Sequence, residues 1–170
     1  MHASPALLCV TVITGVMLGH SGIANAAITD GDKQFLIQAS QSNVDEIRFS
    51  ILAEKKASRP EVKAFAQKMV LDHKALEKKM KPFAMAWSVK QPAALDADRR
   101  REYKKLKALS GAAFDKEYMA VMDRDHNQIL EAFTHEANVA TDPDFKSTVI
   151  SEKSVLAAHT NMADELKDKL

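Results

Sequence analysis

The chain has 170 residues, of which 46% are hydrophobic and only 6% aromatic, with five glycines and five prolines. This composition favours a single helical domain over a β-sandwich or a barrel. Lysine and arginine total 24 against 23 aspartates and glutamates, and this near-neutral balance gives no electrostatic reason to bind nucleic acid or an anionic membrane.

Residues 1–26 are predicted to be a secretory signal peptide, which leaves residues 27–170 as the mature domain. An apolar run over residues 6–18 is too short to span a bilayer, and an A-x-A cleavage site ends at Ala26. No lysine or arginine precedes the run, so either the leader is weak or the natural start lies upstream. We expect a periplasmic or secreted bacterial protein with no transmembrane segment after the leader is removed. The one cysteine, Cys9, lies in the leader, which excludes disulfides and thiolate metal sites from the mature domain.

The first half of the mature chain predicts a helical hairpin. One helix is expected over residues 32–57, and a second begins at Pro60, with Ser58 as its cap candidate. Pro82 should kink or end the second helix. The apolar stripes contain Phe35, Ala39, Glu46, Phe49 and Ala53 on the first helix, and Val62, Ala66, Met69, His73, Leu76, Met80, Phe83 and Trp87 on the second.

The second half predicts another hairpin after a long crossover over residues 88–111, which carries a short polar helix over residues 96–108. A third long helix is expected over residues 112–140, and a fourth opens at Asp142-Pro143. Their stripes contain Phe114, Tyr118, Met122, His126, Ile129 and Phe133, and then Phe145, Val149, Glu152, Leu156, His159, Ala163, Leu166 and Leu170. Apolar positions repeating at intervals of about 3.5 residues are typical of a bundle seam. The predicted fold is therefore all-α, a four-helix bundle of two antiparallel hairpins.

Each long helix carries one chargeable residue in the middle of its apolar stripe: Glu46, His73, His126 and His159. Each lies about 13–17 residues from the turn of its own hairpin, which puts all four near mid-height at about 1.5 Å per residue. His135 is predicted to face solvent, because its position is on the opposite face from His126. A buried imidazole without a partner costs roughly 1–3 kcal/mol. The four groups must therefore satisfy one another or share a metal ion.

Two interpretations of this layer remain open. Three imidazoles and a carboxylate suit iron, zinc, manganese or copper. Asp72 and Asp125 each precede a histidine and could orient a neighbouring imidazole, and Glu152 is an alternative ligand. In the other interpretation no cofactor binds, Glu46 pairs with protonated His73 or His126, and the layer fixes only the register of the helices.

Two further patterns concern the methionines near the core histidines and the basic residues of the crossover. Each core histidine has a methionine three or four residues away, a combination that copper favours: Met69 with His73, Met122 with His126, and Met162 with His159. Methionine is also an ordinary filler of bundle cores, and haem held by Met and His is a remaining alternative. The basic residues between Arg99 and Lys107 predict a solvated helix face, or contact with an anionic envelope polymer or lipid.

Residues 35–166 resemble a family of exported bacterial proteins with a domain of unknown function, placed in the ferritin-like superfamily. The matching pieces include residues 32–36 and 60–66, the Asp72-His73 and Asp125-His126 pairs, Phe114-Asp115 and His159. The resemblance implies a ferritin-like bundle in the periplasm or at the envelope, and no established activity. The Glu-x-x-His motifs of di-iron members are absent, because Val70 and Leu156 lie three residues before His73 and His159. Iron storage is therefore not implied.

The sequence thus predicts a non-catalytic envelope or stress-related protein with no assigned catalytic residue. An envelope partner or a homo-oligomer is compatible with it. The alternative function is a metal-binding or redox bundle that uses Glu46, His73, His126 and His159 as ligands.

Overall fold

The structure, a computed structural model, describes residues 28–170, so the predicted leader lies outside the described residues. It contains the helices α1 (Asp30–Lys56), α2 (Pro60–Ala86), α3 (Ala97–Ala108), α4 (Gly111–Val139) and α5 (Pro143–Lys167), and no strand within residues 28–170. The predicted all-α class, the two hairpins and the short crossover helix are confirmed. In this part of the chain, no helix has an apolar stretch of the length needed to cross a membrane.

The core is divided into two apolar clusters, one at each end of the bundle. The upper cluster joins the starts of α1 and α5 to the ends of α2 and α4, and includes Phe35, Leu36, Leu76, Met80, Trp87, Ile129, Phe133, Phe145, Val149 and Leu156. The lower cluster joins the opposite ends of the same helices, and includes Phe49, Ala53, Val62, Phe65, Met69, Phe114, Tyr118, Met122 and Ala163. The α1–α2 turn and the α4–α5 turn therefore lie at opposite ends of the bundle.

Three of the helices begin after a Thr or Asp residue whose side chain caps the helix. Thr29 and Asp32 form a capping box at the start of α1, in which the Asp32 N–H donates to Thr29 Oγ1 at 3.0 Å and the Thr29 N–H donates to Asp32 Oδ2 at 2.7 Å. The side chains of Asp96 and Asp142 cap α3 and α5 by accepting a hydrogen bond from a backbone N–H of the first turn. These contacts fix the helix starts to within about two residues of the predicted positions.

One local prediction is wrong, and one of the two alternatives given for Pro82 is excluded. Ser58 does not cap α2: the N-cap is Arg59, without a side-chain bond, and Ser58 is used by a tertiary contact instead. Its N–H and that of Arg59 each donate to the Asp115 carboxylate at 2.9 Å, and its hydroxyl donates to the same group. Pro82 does not end α2, which continues to Ala86. The four residues after Pro82 are held by aromatic packing, since Phe83 and Trp87 both pack on Phe145, with ring centroids 5.1 and 4.6 Å away.

The crossover helix α3 packs across α1 and α4. Leu106 is fully buried in the lower cluster, and Tyr103 lies edge-on to Phe49 with ring centroids 5.5 Å apart. Gly111 begins α4 with φ +58°, in the left-handed region that glycine adopts without strain. The predicted solvated basic face is present at Arg100, Arg101, Lys104, Lys105 and Lys107, which are all exposed. Arg99 is the exception, because it turns inward between α1 and α4.

A buried carboxyl pair ties the start of α1 to the end of α4. Glu136 is 3% exposed and hydrogen-bonds to Asp32, and its Oε1 has no partner. Burial, together with the neighbouring Asp32 carboxylate, raises the pKa of Glu136 from 4.5 to about 7. The folded state therefore holds a proton that the unfolded chain releases, and this stabilisation is present below about pH 4.5 and lost as the pH rises through about 7.

Glu136→Gln is expected to flatten this pH dependence, because the amide keeps a donor for Asp32 and does not titrate. When the pH rises from about 5 to about 8, the free energy of unfolding of the parent should fall relative to that of the variant by on the order of 2 kcal/mol. Urea denaturation at both pH values measures the change. Glu131→Gln, an exposed change on the same helix, is the control, and an equal flattening in that variant would contradict the assignment to Glu136.

Candidate metal centre

The four predicted side chains form one buried layer between the upper and lower clusters. On every long helix the chargeable residue lies after the last residue of one cluster and before the first residue of the other. Glu46, His73, His126 and His159 are each at most 2% exposed. The heptad spacing explains this arrangement, since the same stripe that supplies the apolar core also points these residues inward. His135 is exposed, as predicted.

The three imidazole rings face one another. Their centroids are separated by 5.6 Å between His73 and His126, 5.5 Å between His73 and His159, and 5.4 Å between His126 and His159. One nitrogen from each ring lies within 4.8 Å of one nitrogen from both others. The rings therefore surround a common point from three different helices.

The outward nitrogens of two rings are fixed by acceptors that cannot donate in return. His126 Nδ1 lies 2.9 Å from the backbone carbonyl oxygen of Met122, one turn earlier on α4. His159 Nε2 lies 2.8 Å from Oδ2 of Asp72 on α2. Each of these nitrogens must carry the proton, so in the neutral ring the opposite nitrogen has a free lone pair.

The third ring follows the same pattern. His73 Nδ1 lies 2.9 Å from the side-chain oxygen of Asn43 on α1, which leaves Nε2 as the inward nitrogen. The buried side-chain atoms without a hydrogen-bond partner include the inward nitrogen of all three rings: His73 Nε2, His126 Nε2 and His159 Nδ1. Hydrogen bonds at the periphery thus hold the three inward nitrogens toward one another, which is how proteins orient imidazoles for a metal ion.

Glu46 completes the layer from α1. Its Oε1 accepts a hydrogen bond from the Ser42 hydroxyl at 3.0 Å, one turn earlier on the same helix. Its Oε2 lies 2.8 Å from His73 Nε2 and 3.2 Å from His126 Nε2, although neither contact is aligned as a hydrogen bond. With metal–nitrogen bonds of about 2.0–2.1 Å, a tetrahedral ion separates its ligand atoms by about 3.3 Å. The distance to His126 Nε2 is close to that spacing, whereas the distance to His73 Nε2 is the shorter one of a direct ion pair.

The charges of the layer are set by its burial. Burial alone would raise the pKa of Glu46, but the charges of His126 and His73 outweigh it and lower the pKa to about 2. Burial lowers the pKa of His159 to about 4. The hydrogen bond to Asp72 raises this pKa in opposition, and the charges of His73 and His126 lower it further. At neutral pH the layer therefore contains an ionised carboxylate and a neutral His159. Both are the protonation states that ligate metals.

The predicted supporting aspartates have different roles. Asp72 orients His159, as expected for a residue next to a core histidine, but the ring belongs to α5 and not to its own helix. Asp125 does not orient an imidazole: its hydrogen bonds are with the guanidinium groups of Arg99 and Arg124. The correction has a geometric cause, since Asp125 points toward the crossover helix and the acceptor for His126 is a backbone carbonyl.

The other predicted residues lie at the periphery of the layer. Glu152 is buried on α5 and pairs with Lys79 of α2, and it lines a small cavity together with His73 and His159. Met69 and Met122 pack in the lower cluster, and Met122 reaches the layer through its carbonyl oxygen. Ser42 and Asn43 were not predicted. The sequence did indicate them, however, because both are polar residues on α1, four and three positions before Glu46.

Solved structures share this fold at low sequence identity. A DUF305 fragment from Deinococcus radiodurans is 12% identical, with a TM-score of 0.73 over 84% of this chain and 99% of that chain. A candidate secreted DUF305 protein from Streptomyces coelicolor is 14% identical, with a TM-score of 0.68 over 80% and 89%. CopM in a Cu(I)-bound form is 20% identical, with a TM-score of 0.69 over 81% and 96%. These likenesses establish the helical-bundle fold.

No curated protein matches the chain. The resemblance to an uncharacterised domain family is confirmed, whereas membership of the ferritin-like superfamily stays a prediction. Residues 20–166, which include the whole histidine layer, match the family model described as a domain of unknown function, and the chain therefore belongs to the DUF4142 family.

Proposed function

We propose that this protein is an exported helical bundle that binds one transition-metal ion through His73, His126, His159 and Glu46. One observation carries the proposal: an acceptor fixes the outer nitrogen of each ring, and the inner nitrogens converge with no aligned hydrogen bond to any group within residues 28–170. A layer built only for packing gains little from this arrangement, because His159 Nδ1 is a desolvated atom without a hydrogen-bond partner in the described part of the chain, and the buried Glu46 carboxylate needs a cation beside it. No catalytic role is assigned to these residues.

The donor set limits the class of metal. Imidazole ligands suit zinc, copper, iron and nickel, whereas calcium and magnesium require oxygen ligands. Three nitrogens and one oxygen match the tetrahedral sites that zinc adopts and also fit copper. The solved CopM structures are described as Cu(I)-bound and Ag-bound, and they share this fold, which supports copper as a candidate for this chain too. The predicted leader over residues 1–26 supports a location in the periplasm or outside the cell.

Titration of the metal-free mature protein tests the proposal. We expect one equivalent of Zn²⁺, Co²⁺ or Cu⁺ to bind per chain. Because the ion would bind only the folded state, a metal concentration of about 100 times Kd should stabilise the fold by about 2.7 kcal/mol. Calorimetric titration and the melting temperature measure the two quantities. No binding of any of these ions, or an unchanged melt at saturating metal, would contradict the proposal.

A second candidate function is the metal-free envelope protein, in which the layer is structural. The observation in its favour is that Glu46 lies at ion-pair distance from His73 and His126. Under this alternative, one ring is protonated and faces the ionised carboxylate. Removing the charge with Glu46→Gln would then destabilise the metal-free fold strongly, since it leaves an unpaired buried imidazolium. If a metal is the natural partner, the same variant keeps most of the metal-free stability and loses metal affinity.

Asn43→Ala is expected to weaken metal binding without removing a ligand. His73 Nδ1 would lose its acceptor, so the ring would no longer be held with Nε2 inward. Changes of this kind cost about 10–100-fold in affinity. Competition of the variant against a chelator for Zn²⁺ measures the change. Asn127→Ala, an exposed asparagine next to His126, should leave the affinity unchanged, and equal effects of the two substitutions would refute the role of Asn43.

A further inference from the structure

Two polar openings in the bundle surface approach the buried layer from opposite sides. One is a groove of about 300 Å³ between α1 and α4, whose lining includes Ser42, Asp45, Arg99 and Asp125. The other is a cavity of about 10 Å³ between α2 and α5. Because the layer itself is at most 2% exposed, an ion can reach it only after side chains around it move.

The α1–α4 groove is closed by a firmly held group. The side chain of Arg99 is only 16% exposed, and it lies over the ring of Phe49 at 4.5 Å. Its guanidinium pairs with Asp45 on α1 and with Asp125 on α4, and also with Glu102 on its own helix. Displacing it would leave Asp45 without its cation and Asp125 with Arg124 alone, which is costly.

The α2–α5 cavity is closed by a much weaker contact. Its polar lining consists of Asp72, His73, Glu152 and His159, so it touches two of the three imidazoles directly. Its volume is about the minimum that a single water molecule needs. The Glu152 side chain is only 4% exposed, and within residues 28–170 it pairs with the ammonium group of Lys79, whose own side chain is 50% exposed. A solvated lysine on a flexible stem leaves a carboxylate more easily than a clamped guanidinium does.

We propose that the metal ion enters and leaves through the α2–α5 cavity, with Glu152 as the first carboxylate to receive it and Lys79 as its displaceable cap. This inference rests on the proposed metal site. The incoming cation takes the place of the Lys79 ammonium beside Glu152, so the buried carboxylate keeps a positive partner throughout. From there it lies against His73 and His159, whose inward nitrogens have no aligned hydrogen bond among the described residues. Glu152 is then a positioning residue on the route and not one of the final ligands.

Stopped-flow mixing of the mature, metal-free protein with Co²⁺ tests the route, since tetrahedral cobalt is followed by its visible absorption. Glu152→Gln removes the charge with little change in shape and should lower both the association and the dissociation rate by about tenfold. The Kd should stay within about threefold, because the final ligands are untouched. Lys79→Met should raise both rates. Lys78→Met, an exposed lysine one position away, is the matched control and should change neither.

The outcomes separate this inference from the proposed function. If the parent protein binds Co²⁺ and the rates of Glu152→Gln and Lys79→Met equal those of the parent, the cavity is not the route. Slower exchange in Asp45→Asn or Asp125→Asn would assign the route to the groove closed by Arg99 and would also overturn the inference. A Kd raised by about a hundredfold in Glu152→Gln would make it a ligand and not a positioning residue. A parent protein that binds no Co²⁺ would refute the metal site itself.

Discussion

His126→Ala is expected to abolish stoichiometric metal binding while the bundle stays folded. His126 is fully buried at the centre of the layer, and its inward nitrogen is one of the three that converge. Losing a ligand should weaken the affinity by at least about a hundredfold, or about 2.7 kcal/mol. The metal-free fold should survive, because Glu46 keeps its contact with His73 at 2.8 Å. Calorimetric titration with Zn²⁺ and a thermal melt of the metal-free variant measure the two effects separately.

The control for this variant is His135→Ala. His135 lies on the same helix but is exposed, so its removal should change neither Kd nor the melt. If His126→Ala unfolds the metal-free protein, His126→Gln provides the same test with a smaller cavity, since it keeps most of the volume. An affinity for Zn²⁺ in His126→Ala within about threefold of the parent would show that the ion binds elsewhere.

Asp115→Ala should produce the largest loss of stability outside the histidine layer. The fully buried carboxylate accepts hydrogen bonds from the N–H groups of Ser58 and Arg59 and from the Ser58 hydroxyl. It thereby joins the α1–α2 turn to the start of α4. Removing it leaves two backbone donors of the turn unpaired, at roughly 1–3 kcal/mol each. We expect a loss of about 3 kcal/mol in the free energy of unfolding, a large part of the stability of a small domain.

Urea denaturation measures this loss, and two further variants serve as comparisons. Asp115→Asn keeps one acceptor oxygen and should lose about half as much. Asp144→Ala removes an exposed aspartate in the first turn of α5 and should cost below about 1 kcal/mol. A loss below about 1 kcal/mol in Asp115→Ala would mean that water replaces the carboxylate and that the turn does not depend on it.

The periodicity of the sequence was sufficient to predict the bundle and the height of the polar layer. A repeat of about 3.5 residues indicates which face of a helix is buried. The number of residues to the nearest turn indicates how far along the helix axis a residue lies. Both statements are local, and both hold for Glu46 and the three histidines. The exposure of His135 follows from the same rule.

The partners of the polar side chains could not be predicted in this way. Periodicity does not say how a helix is rotated relative to each neighbour, so Asp72 was correctly expected at an imidazole while Asp125, in the equivalent position, pairs with Arg99. The crossover helix has no seam pattern, and nothing in its sequence distinguishes Arg99 from the exposed basic residues beside it. Ser58 was misassigned for a similar reason, because its hydrogen bond to Asp115 spans 57 positions of the chain.

X-ray absorption of the zinc-loaded protein tests the central claim most directly, since it reports the atoms bound to the ion. The proposed site predicts four light ligands at about 2.0–2.1 Å, with the outer-shell scattering of three imidazole rings, and loss of that signal in His126→Ala. A shell of six oxygens, a sulfur ligand, or a spectrum that is the same in the parent and in His126→Ala would contradict it.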